Sequence, residues 1–398
     1  MAEWLKTSLI DIVELIGGGT PKTSKAEYWG GNINWLSVKD FNNENRYVYS
    51  TEKTITEEGL NNSSTKLLRK NDIIISARGT VGELAMIPFP MAFNQSCYGI
   101  RAKDGINSTF LYYLIKHSVR KLKAMTHGSV FDTITRDTFA NIEVAIPDIE
   151  TQRRVAKILA DIDDKIENNL RINNNLEQQA KTLYKSWFTD YEPFDGVCPA
   201  DWISGTIDDL AKEVVCGKTP STKVKEYYGS DVPFITIPDM HGNTYAVTTE
   251  RYLSNYGAAS QPKKTLPPNS ICVSCIGTAG LVILVASESQ TNQQINSIIP
   301  KDEYSPFYIY LLMQTLSEVI NKLGQSGSTI VNLNRAQFGK IKVVIPSITD
   351  IKTFDELVSP LFALILENQK ENIRLSSIRE TLLPKLMSGE LDVSDLDL

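Results

Sequence analysis

The second half of this chain repeats the first half at a nearly constant distance. The motif Gly-x-Thr-Pro occurs at 18–21 and again at 217–220, and the motif Ser-x-x-Gly-Thr-x-Gly begins at Ser76 and again at Ser274. Asn94-Gln95 likewise returns as Asn292-Gln293, and every offset is 198 or 199 residues. A chain with two such copies folds as two similar structural units and presents two similar surfaces.

Length and composition place the chain among cytoplasmic globular proteins. Its 398 residues predict two to three domains, and its hydrophobic content of 42% is ordinary for that class. No run approaches the ~20 apolar residues that a membrane span needs, and the first residues lack the features of a secretory signal. Five irregularly spaced cysteines fit a reducing compartment better than a disulfide scaffold.

The distribution of charge matters more than its total. The net charge is −6, but residues 1–147 carry 17 Lys and Arg against 15 Asp and Glu, whereas 347–398 carry 5 against 10. The acidity therefore lies in the segments that end each repeat. Local charge determines attraction to phosphates, so the net charge does not exclude a DNA-binding protein.

The pattern divides the chain into four segments. Residues 1–147 and 196–346 mix short apolar runs with turn residues, whereas 148–195 and 347–398 have helical spacing. In each globular segment we expect a mixed, strongly bent sheet flanked by a few helices, closing on a strand that ends in Ile-Pro.

Within the globular segments, two kinds of run recur. Apolar runs at 72–77 and 270–276 are bounded by turn signals and predict buried strands. Runs at 110–123 and 306–323 have the spacing of helices.

The helical segments have apolar residues at alternating steps of four and three, over 155–187 and again over 354–386. Sustained heptads of this kind predict a coiled coil. Two asparagines occupy the same seam positions in each copy, namely Asn169 and Asn173 in the first and Asn368 and Asn372 in the second.

If the helices run antiparallel, Asn169 faces Asn372 and Asn173 faces Asn368. Polar residues at a seam lower stability and define the register. The alternative is that the Asn-rich stretch 168–175 is a hydrated, loosely packed middle. The predicted fold class is α+β, with two similar mixed α/β globular domains separated by two long helices that pack as an antiparallel coiled coil, with pseudo-two-fold symmetry.

Motifs for catalysis, cofactors or metals are weak. A P-loop needs Gly directly before Lys, but Pro21 stands there in the first copy, and position 212 of the second is Lys where the motif needs Gly. Cys272 and Cys275 fall in a predicted strand, where residues three apart point to opposite faces, which indicates buried packing cysteines. We therefore expect no cofactor and no metal site. Asp148 and Glu150 are typical of a helix start.

The order of globular segment, helix, globular segment, helix resembles the specificity subunit of type I restriction–modification systems, over the whole chain. The resemblance also depends on sequence motifs. These are Gly-x-Thr-Pro followed by Tyr-Trp-Gly-Gly-Asn-Ile-Asn-Trp at 28–35, both Ser-x-x-Gly-Thr-x-Gly stretches, Gly-Ser…Arg…Phe…Ile-x-Val-x-Ile-Pro, and Leu-Leu-Pro-Lys-Leu-Met-Ser-Gly-Glu-Leu at 382–391.

This resemblance implies a subunit without catalytic activity of its own. Each globular segment would be a target recognition domain for one half of a split, asymmetric sequence in double-stranded DNA. The helices would be spacers that define the gap between the halves. They would also help to dock two adenine methyltransferase subunits, and translocating endonuclease subunits would join that core.

Residues shared by the two halves are candidates for contacts to the DNA backbone, and residues that differ are candidates for reading bases. The shared candidates are Lys22, Lys25, Ser129 and Arg136 in the first half and Lys223, Lys225, Ser328 and Arg335 in the second. Each has a structural alternative: solvated loops for the lysines, turns for the serines, and structural ion pairs for the arginines.

The base-reading candidates are residue types that hydrogen-bond base edges in the major groove. They are Lys39, Asn42, Arg46, Arg78 and His127 in the first half and His241, Asn243, Arg251 and Gln325 in the second. Arg78 is of particular interest because its counterpart is Ile276, beside the shared Gly-Thr. For each of these residues the alternative is an ordinary exposed side chain.

Two other functions stay open at this point. The chain could be a scaffold whose two domains bind proteins, with the coiled coil as an assembly rod. It could also be a stand-alone restriction–methylation enzyme, but no catalytic motif remains once the recognition domains are assigned.

Overall fold

The computed structural model describes residues 4–43, 45–125, 133–324 and 332–393. They form two compact units. The first unit combines two separate stretches of sequence, and the second is one stretch that crosses from the first repeat into the second. The first unit contains residues 1–167 and 373–398, and the second contains 168–372.

The first unit holds ten strands among its described residues, arranged in three sheets. The four-stranded sheets have the orders β2-β9-β6-β7 and β4-β3-β8-β5, and β1 pairs with β10 alone. The strands are β1 (Leu5–Ser8), β2 (Val13–Gly17), β3 (Trp29–Leu36), β4 (Lys53–Ile55), β5 (Leu67–Leu68), β6 (Ile73–Ser76), β7 (Leu84–Met86), β8 (Met91–Phe93), β9 (Cys97–Ala102) and β10 (Glu143–Ile146).

The described helices of the first unit include α1 (Glu57–Asn61), α2 (Ser108–Met125), α3 (Arg136–Asn141) and the first part of α4 (Ile149–Phe188). Short 3-10 helices lie at Leu9–Ile12, Ala26–Tyr28 and Val38–Asp40. The predicted helix at 110–123 is confirmed and begins slightly earlier.

Strand β6 is apolar at successive positions because both of its faces are covered. Ile73 and Ile75 belong to a core with the helices, whereas Ile74 belongs to a second core with Phe93, between the two larger sheets. The buried strand predicted at 72–77 is confirmed, and its continuous apolar run follows from this two-sided burial.

The second unit repeats this topology with small differences. Its sheets have the orders β12-β19-β16-β17-β14 and β15-β13-β18, and β11 pairs with β20. The strands are β11 (Ile203–Thr206), β12 (Ala211–Cys216), β13 (Tyr228–Ile235), β14 (Tyr245–Ala246), β15 (Tyr252–Leu253), β16 (Ile271–Ser274), β17 (Val282–Val285), β18 (Gln290–Thr291), β19 (Ile295–Pro300) and β20 (Lys342–Ile345).

The described helices of the second unit include α5 (Ile207–Leu210), α6 (Asn255–Ala259), α7 (Pro306–Thr315), α8 (Ser317–Gly324), α9 (Arg335–Gly339) and the first part of α10 (Ile348–Met387). Short 3-10 helices lie at Glu192–Phe194, Lys225–Tyr227, Pro238–Met240 and Pro262–Lys264.

Two expectations need correction. The single bent sheet expected in each globular segment is three separate sheets. The helix expected over 306–323 is broken at Leu316 into α7 and α8. The hydroxyl of Ser317, directly after the break, donates to the carbonyl of Gly280 at 2.9 Å. This contact is with a residue distant in sequence, so helical periodicity does not reveal it.

Both long helices begin with a side chain that caps the free backbone N–H groups of the first turn. Asp148 accepts hydrogen bonds from the backbone of Glu150 and Thr151, each at 3.0 Å, and Ser347 accepts from the backbone of Asp350 at 3.1 Å. The hydrogen bonds from Thr151 lower the pKa of Asp148. Asp148 is therefore a helix-start residue, as the sequence predicts.

The described helices also contain no segment that is long and apolar enough to cross a membrane.

Within the second unit, the end of α4 pairs with the start of α10 in antiparallel orientation, which confirms the predicted coiled coil there. The Asn169 amide donates to Asn372 at 2.9 Å and to Glu371 at 2.7 Å, and the Asn368 amide donates to Asn173 at 2.8 Å. Asn169, Asn173 and Asn368 are buried and Asn372 is half-buried, so the seam includes hydrogen-bonded layers rather than a hydrated middle.

We predict that replacing Asn169 and Asn372 together with Leu raises the melting temperature by about 2–4 °C, the shift that ~1 kcal/mol produces at this size. The physical reason is that a seam polar layer costs stability and restricts register. Differential scanning calorimetry measures the first effect, and Asn174→Leu, on the exposed face of α4, is the control.

Disulfide trapping tests the second effect in a Cys198→Ser background. The pair Leu176→Cys with Ile365→Cys reports the native register, and Leu176→Cys with Leu361→Cys reports one displaced by a turn. The Leu variant should form both disulfides. Formation of the native one alone would show that the asparagines do not set the register.

Candidate nucleic-acid interface

Asp40 organises the turn that follows β3. Its Oδ2 accepts hydrogen bonds from the backbone N–H and the hydroxyl of Ser37 at 2.7 and 2.8 Å, and its Oδ1 accepts from the backbone N–H of Glu52 at 2.7 Å. Because both carboxylate oxygens are engaged inside the protein, Asp40 has a structural role. It holds the turn against the start of β4.

The second unit contains the same network. Asp239 accepts from the backbone N–H and hydroxyl of Thr236 at 2.8 and 2.7 Å, and from the backbone N–H of Glu250 at 2.8 Å. The sequence signal for this shared framework is Ser/Thr-x-x-Asp, a short motif that lies among divergent residues in both halves. The two regions therefore share a framework and differ in the side chains that it carries.

The Ser-x-x-Gly-Thr-x-Gly motif forms the turn between β6 and β7. The Ser76 hydroxyl accepts from the backbone N–H of Glu83 at 2.8 Å, and the Ser76 carbonyl accepts from that of Gly82 at 2.9 Å. Gly79 and Gly82 have φ angles of +79° and +86°, which favour glycine. Arg78 lies within this turn without contributing a side chain to these contacts, so the residue type at this position is free to vary.

The corresponding turn of the second unit has the same construction. Ser274 accepts from the backbone of Leu281 at 2.8 Å and of Gly280 at 2.9 Å. The residue carried at the position of Arg78 is Ile276.

The Gly-x-Thr-Pro motif packs against the Asn-Gln motif. A Cβ atom on Gly18 would lie 2.1 Å from the carbonyl oxygen of Asn94, and the hydroxyl of Thr20 donates to the amide oxygen of Gln95. In the second unit, Gly217 lies equally close to the Asn292 carbonyl, and Thr219 donates to Gln293 at 2.8 Å. The motif is thus a packing element in both units.

In the first unit these shared turns surround a cleft of about 380 Å³. Three predicted base-reading residues line it, namely Lys39, Asn42 and Arg78, and all three are exposed. Lys53, which is not among the predicted base-reading residues, also lines the cleft. The remaining lining residues are Trp35, Ser37, Val38, Asp40, Glu52, Gly79, Thr80, Asn94 and Ser96.

The cleft combines cationic and amide side chains around a rigid framework. Lys39, Lys53 and Arg78 contribute three positive charges, against two acidic residues of which Asp40 is engaged in the turn. Cationic donors and an asparagine are the groups that recognise guanine and adenine edges or bind phosphates. The arrangement can therefore bind a polyanion and discriminate among its bases.

The equivalent positions of the second unit carry different side chains. Pro238 replaces Lys39, His241 replaces Asn42, and Ile276 replaces Arg78, whereas Arg251 retains the positive charge of Lys53. His241 and Arg251 are exposed. Asn243 is also exposed, but its amide oxygen accepts a hydrogen bond from Gln369 at 3.0 Å, which ties it to α10.

Arg46 lies apart from the other candidates. It is 5% exposed, its guanidinium pairs with Asp164, and it packs 4.8 Å from the centroid of the Tyr47 ring. Its backbone N–H also donates to Glu167 at 3.1 Å. A buried, ion-paired arginine cannot reach a base without loss of these contacts, so the structure argues against the base-reading role that we expected.

The lysine candidates lie on exposed loops. Lys22, Lys25, Lys223 and Lys225 are all exposed. Lys25 contacts Glu27 at 3.4 Å, and its Nζ lies 4.9 Å from the centroid of the Tyr28 ring.

Arg136 and Arg335 occupy equivalent positions at the starts of α3 and α9. Each guanidinium donates to a main-chain carbonyl, Leu15 at 3.4 Å for Arg136 and Val214 at 2.5 Å for Arg335. These arginines therefore tie a short helix to strand β2 or β12, a contact that differs from the ion pair we considered. Both side chains are also exposed, so a phosphate contact stays a prediction.

Four further candidates lie outside the described residues. They are His127, Ser129, Gln325 and Ser328.

Cys272 and Cys275 are buried and belong to different cores, as expected for opposite faces of a strand. Burial raises the pKa of Cys272 to about 12 and that of Cys275 to about 11, so both thiols are protonated at neutral pH. Among the described residues no group of three or more His, Cys, Asp or Glu side chains is placed to hold a metal ion.

Comparison with known families gives two matches along this chain. The model described as the type I restriction modification DNA specificity domain matches residues 1–178 and again 199–375. The two matched stretches follow the internal repeat.

Comparison with individual proteins gives relatives across the chain. The HindI specificity subunit of Haemophilus influenzae is 36% identical over 68% of this chain and 74% of its own length. The MjaIX specificity subunit of Methanocaldococcus jannaschii is 30% identical over 99% of this chain and 95% of its own. A type I S subunit from M. genitalium shares the fold, with a TM-score of 0.62, 17% identity and coverage of 99% and 97%.

We predict that Gly18→Ala destabilises the protein by about 1–3 kcal/mol, because the new Cβ overlaps the Asn94 carbonyl. The expected loss in melting temperature is roughly 2–4 °C per kcal/mol. Gly17→Ala is the matched control, because nothing lies within 4 Å of its Cβ. Equal melting temperatures for the two variants would contradict a packing role for Gly18.

Proposed function

The chain belongs to the type I restriction–modification DNA specificity family, and from this we propose how it reads DNA. It is a specificity subunit without catalytic activity of its own. In our proposal each unit reads one half of a bipartite, asymmetric target in double-stranded DNA, and the long helices separate the two halves.

The observation that carries this proposal is a framework shared by the two units with different side chains at equivalent positions. The Asp40 and Asp239 networks hold the same turn, yet Lys39 and Asn42 in one unit are replaced by Pro238 and His241 in the other. A shared framework supports a shared mode of docking. Different side chains on that framework are what two different base sequences require.

In the first unit we propose that Lys39, Asn42, Lys53 and Arg78 contact the target. Arg78 is suited to the O6 and N7 atoms of guanine, and Asn42 to the N6 and N7 atoms of adenine. Their position around one cleft supports simultaneous contact with neighbouring base pairs.

In the second unit we propose that His241 and Arg251 contact the target, with a smaller contribution from Asn243 because its amide is engaged by Gln369. Ile276 would make apolar contact, for example with a thymine methyl group. The exposed lysines at 22, 25, 223 and 225 and the arginines at 136 and 335 are proposed phosphate contacts that position the DNA.

Family membership also implies assembly with the other subunits of a type I system. We propose a complex with two adenine methyltransferase subunits and translocating endonuclease subunits, acting in the cytoplasm. Exposed apolar side chains on α10, such as Leu357 and Leu364 at 47% and 46% exposure, support subunit docking along this helix. We also propose the functional boundaries 1–147, 148–195, 196–346 and 347–398 for recognition domains and spacers.

We predict that Arg78→Ile, which introduces the residue of the second unit, changes one half of the methylated sequence and leaves the other half unchanged. Loss of a bidentate guanine contact should reduce discrimination at that base by about 1–3 kcal/mol. Mapping adenine methylation in cells with the cognate methyltransferase measures the change. Lys70→Ala, an exposed cation outside the cleft, is the control. Changes in both halves would contradict one reader for each half.

We further predict that target binding by the complex with methyltransferase weakens steeply with salt. Six to ten phosphate contacts would reduce affinity by ~10³–10⁵ between about 50 and 200 mM salt. Fluorescence anisotropy with a duplex target gives the slope. A flat salt dependence, with binding retained only for protein partners, would favour the alternative function as a protein-binding scaffold.

A further inference from the structure

A buried ion pair lies in the helical seam of the first unit. Nη1 of Arg379, on α10, is 2.6 Å from Oδ1 of Asp163, on α4, and the two side chains are 6% and 4% exposed. The hydroxyl of Tyr113 donates to the other Asp163 oxygen at 2.6 Å, and Arg379 also contacts Glu380 at 3.1 Å. The Asp163 carboxylate and the Arg379 guanidinium therefore neutralise each other in a buried site.

The equivalent layer of the second unit has no charge. At the same offset of 199 residues, Phe362 stands where α4 has Asp163, and Ala180 stands where α10 has Arg379. Both are fully buried in one core. The Phe362 ring stacks on Phe307 with centroids 4.5 Å apart, in place of the polar contacts of the first unit.

The two layers are complementary only when α4 pairs with α10. If α4 paired in the same register with the α4 of a second copy, Asp163 would face Ala180. If α10 paired with a second α10, Arg379 would face Phe362. The first pairing leaves the buried Asp163 without a counterion, and the second leaves the buried Arg379 with only the half-exposed Glu380 of its own helix. Loss of one partner of a buried ion pair is strongly unfavourable.

The asparagine layers do not make this distinction. Asn169 and Asn368 occupy equivalent positions, as do Asn173 and Asn372. Pairing of either helix with its own copy would therefore place asparagine opposite asparagine, as in the native seam. These layers favour a register and an orientation, but they accept both kinds of partner.

We infer that the Asp163–Arg379 pair determines which helix is accepted as a partner, so that the two different repeats pair with each other and self-pairing with a second copy is rejected. This role is independent of the DNA sequence that either unit reads. It would prevent assemblies that carry two identical readers, which could not recognise an asymmetric target.

Coexpression of two full-length variants tests this inference. One chain carries Asp163→Arg and the other Arg379→Asp, with different affinity tags. Within either chain, positions 163 and 379 carry the same charge. Between the two chains, position 163 of each α4 carries the charge opposite to that at position 379 of the other chain's α10. We expect the two variants to copurify as a two-chain complex, at least about tenfold above coexpressed wild-type chains. Light scattering measures the mass.

A charge reversal outside the seam is the matched control. Lys157 and Asp161 form an exposed pair within α4, with side chains 50% and 58% exposed. Coexpression of Lys157→Asp and Asp161→Lys chains should give only the wild-type background. If the seam variants copurify no more than this control, the pair does not select the partner.

A second measurement covers the case in which a single variant does not fold. The chain with both Asp163→Arg and Arg379→Asp restores opposite charges within one molecule. It should be monodisperse and should melt well above either single variant. If the double variant recovers no stability over the singles, the inferred pairing role is wrong.

Discussion

Each compact unit depends on a helical segment that is remote in sequence. In the first unit, Leu383 and Leu386 of α10 are buried in one core with Val155 and Leu159 of α4. In the second unit, Leu176 of the later part of α4 packs against a core formed with the start of α10. Because each core needs apolar residues from both helices, neither repeat contains all the residues of its own core. The two repeats therefore stabilise each other through burial of apolar surface.

The two units share the hydrogen-bonded framework of their turns and differ in the exposed side chains that the turns carry. Hydrogen bonds that use backbone atoms and short side chains, such as Asp40 with Ser37, define turns that are the same in both units. Side chains that those bonds do not involve, such as Arg78, project from the turns and can change without cost to the framework. In the proposed function, this division would allow the two similar units to bind DNA in the same way and to read different bases.

The polar layers of the seam differ in symmetry, and this difference matters for assembly. Asparagine layers are the same in both repeats, whereas the layer of Asp163 and Arg379 has an apolar counterpart. Arg379 is a charged residue at a heptad position where periodicity predicts an apolar one. The contact with Asp163 gives that residue a physical role.

The sequence alone determined the two-copy organisation, the two long helices and the resemblance to the family, because the internal repeat, the heptad spacing and the motifs can all be recognised without coordinates. The hydrogen bonds between Asn169 and Asn372 and between Asn173 and Asn368 then showed that the helices run antiparallel. The sequence also indicated Lys39, Asn42 and Arg78, which the fold brings to one cleft. Tertiary structure decided that Lys53 joins them, that Arg46 is buried and paired with Asp164, and that the helix that begins at Pro306 breaks at Leu316. These outcomes depend on contacts between residues far apart in the chain, and neither spacing nor residue type specifies which distant groups will meet.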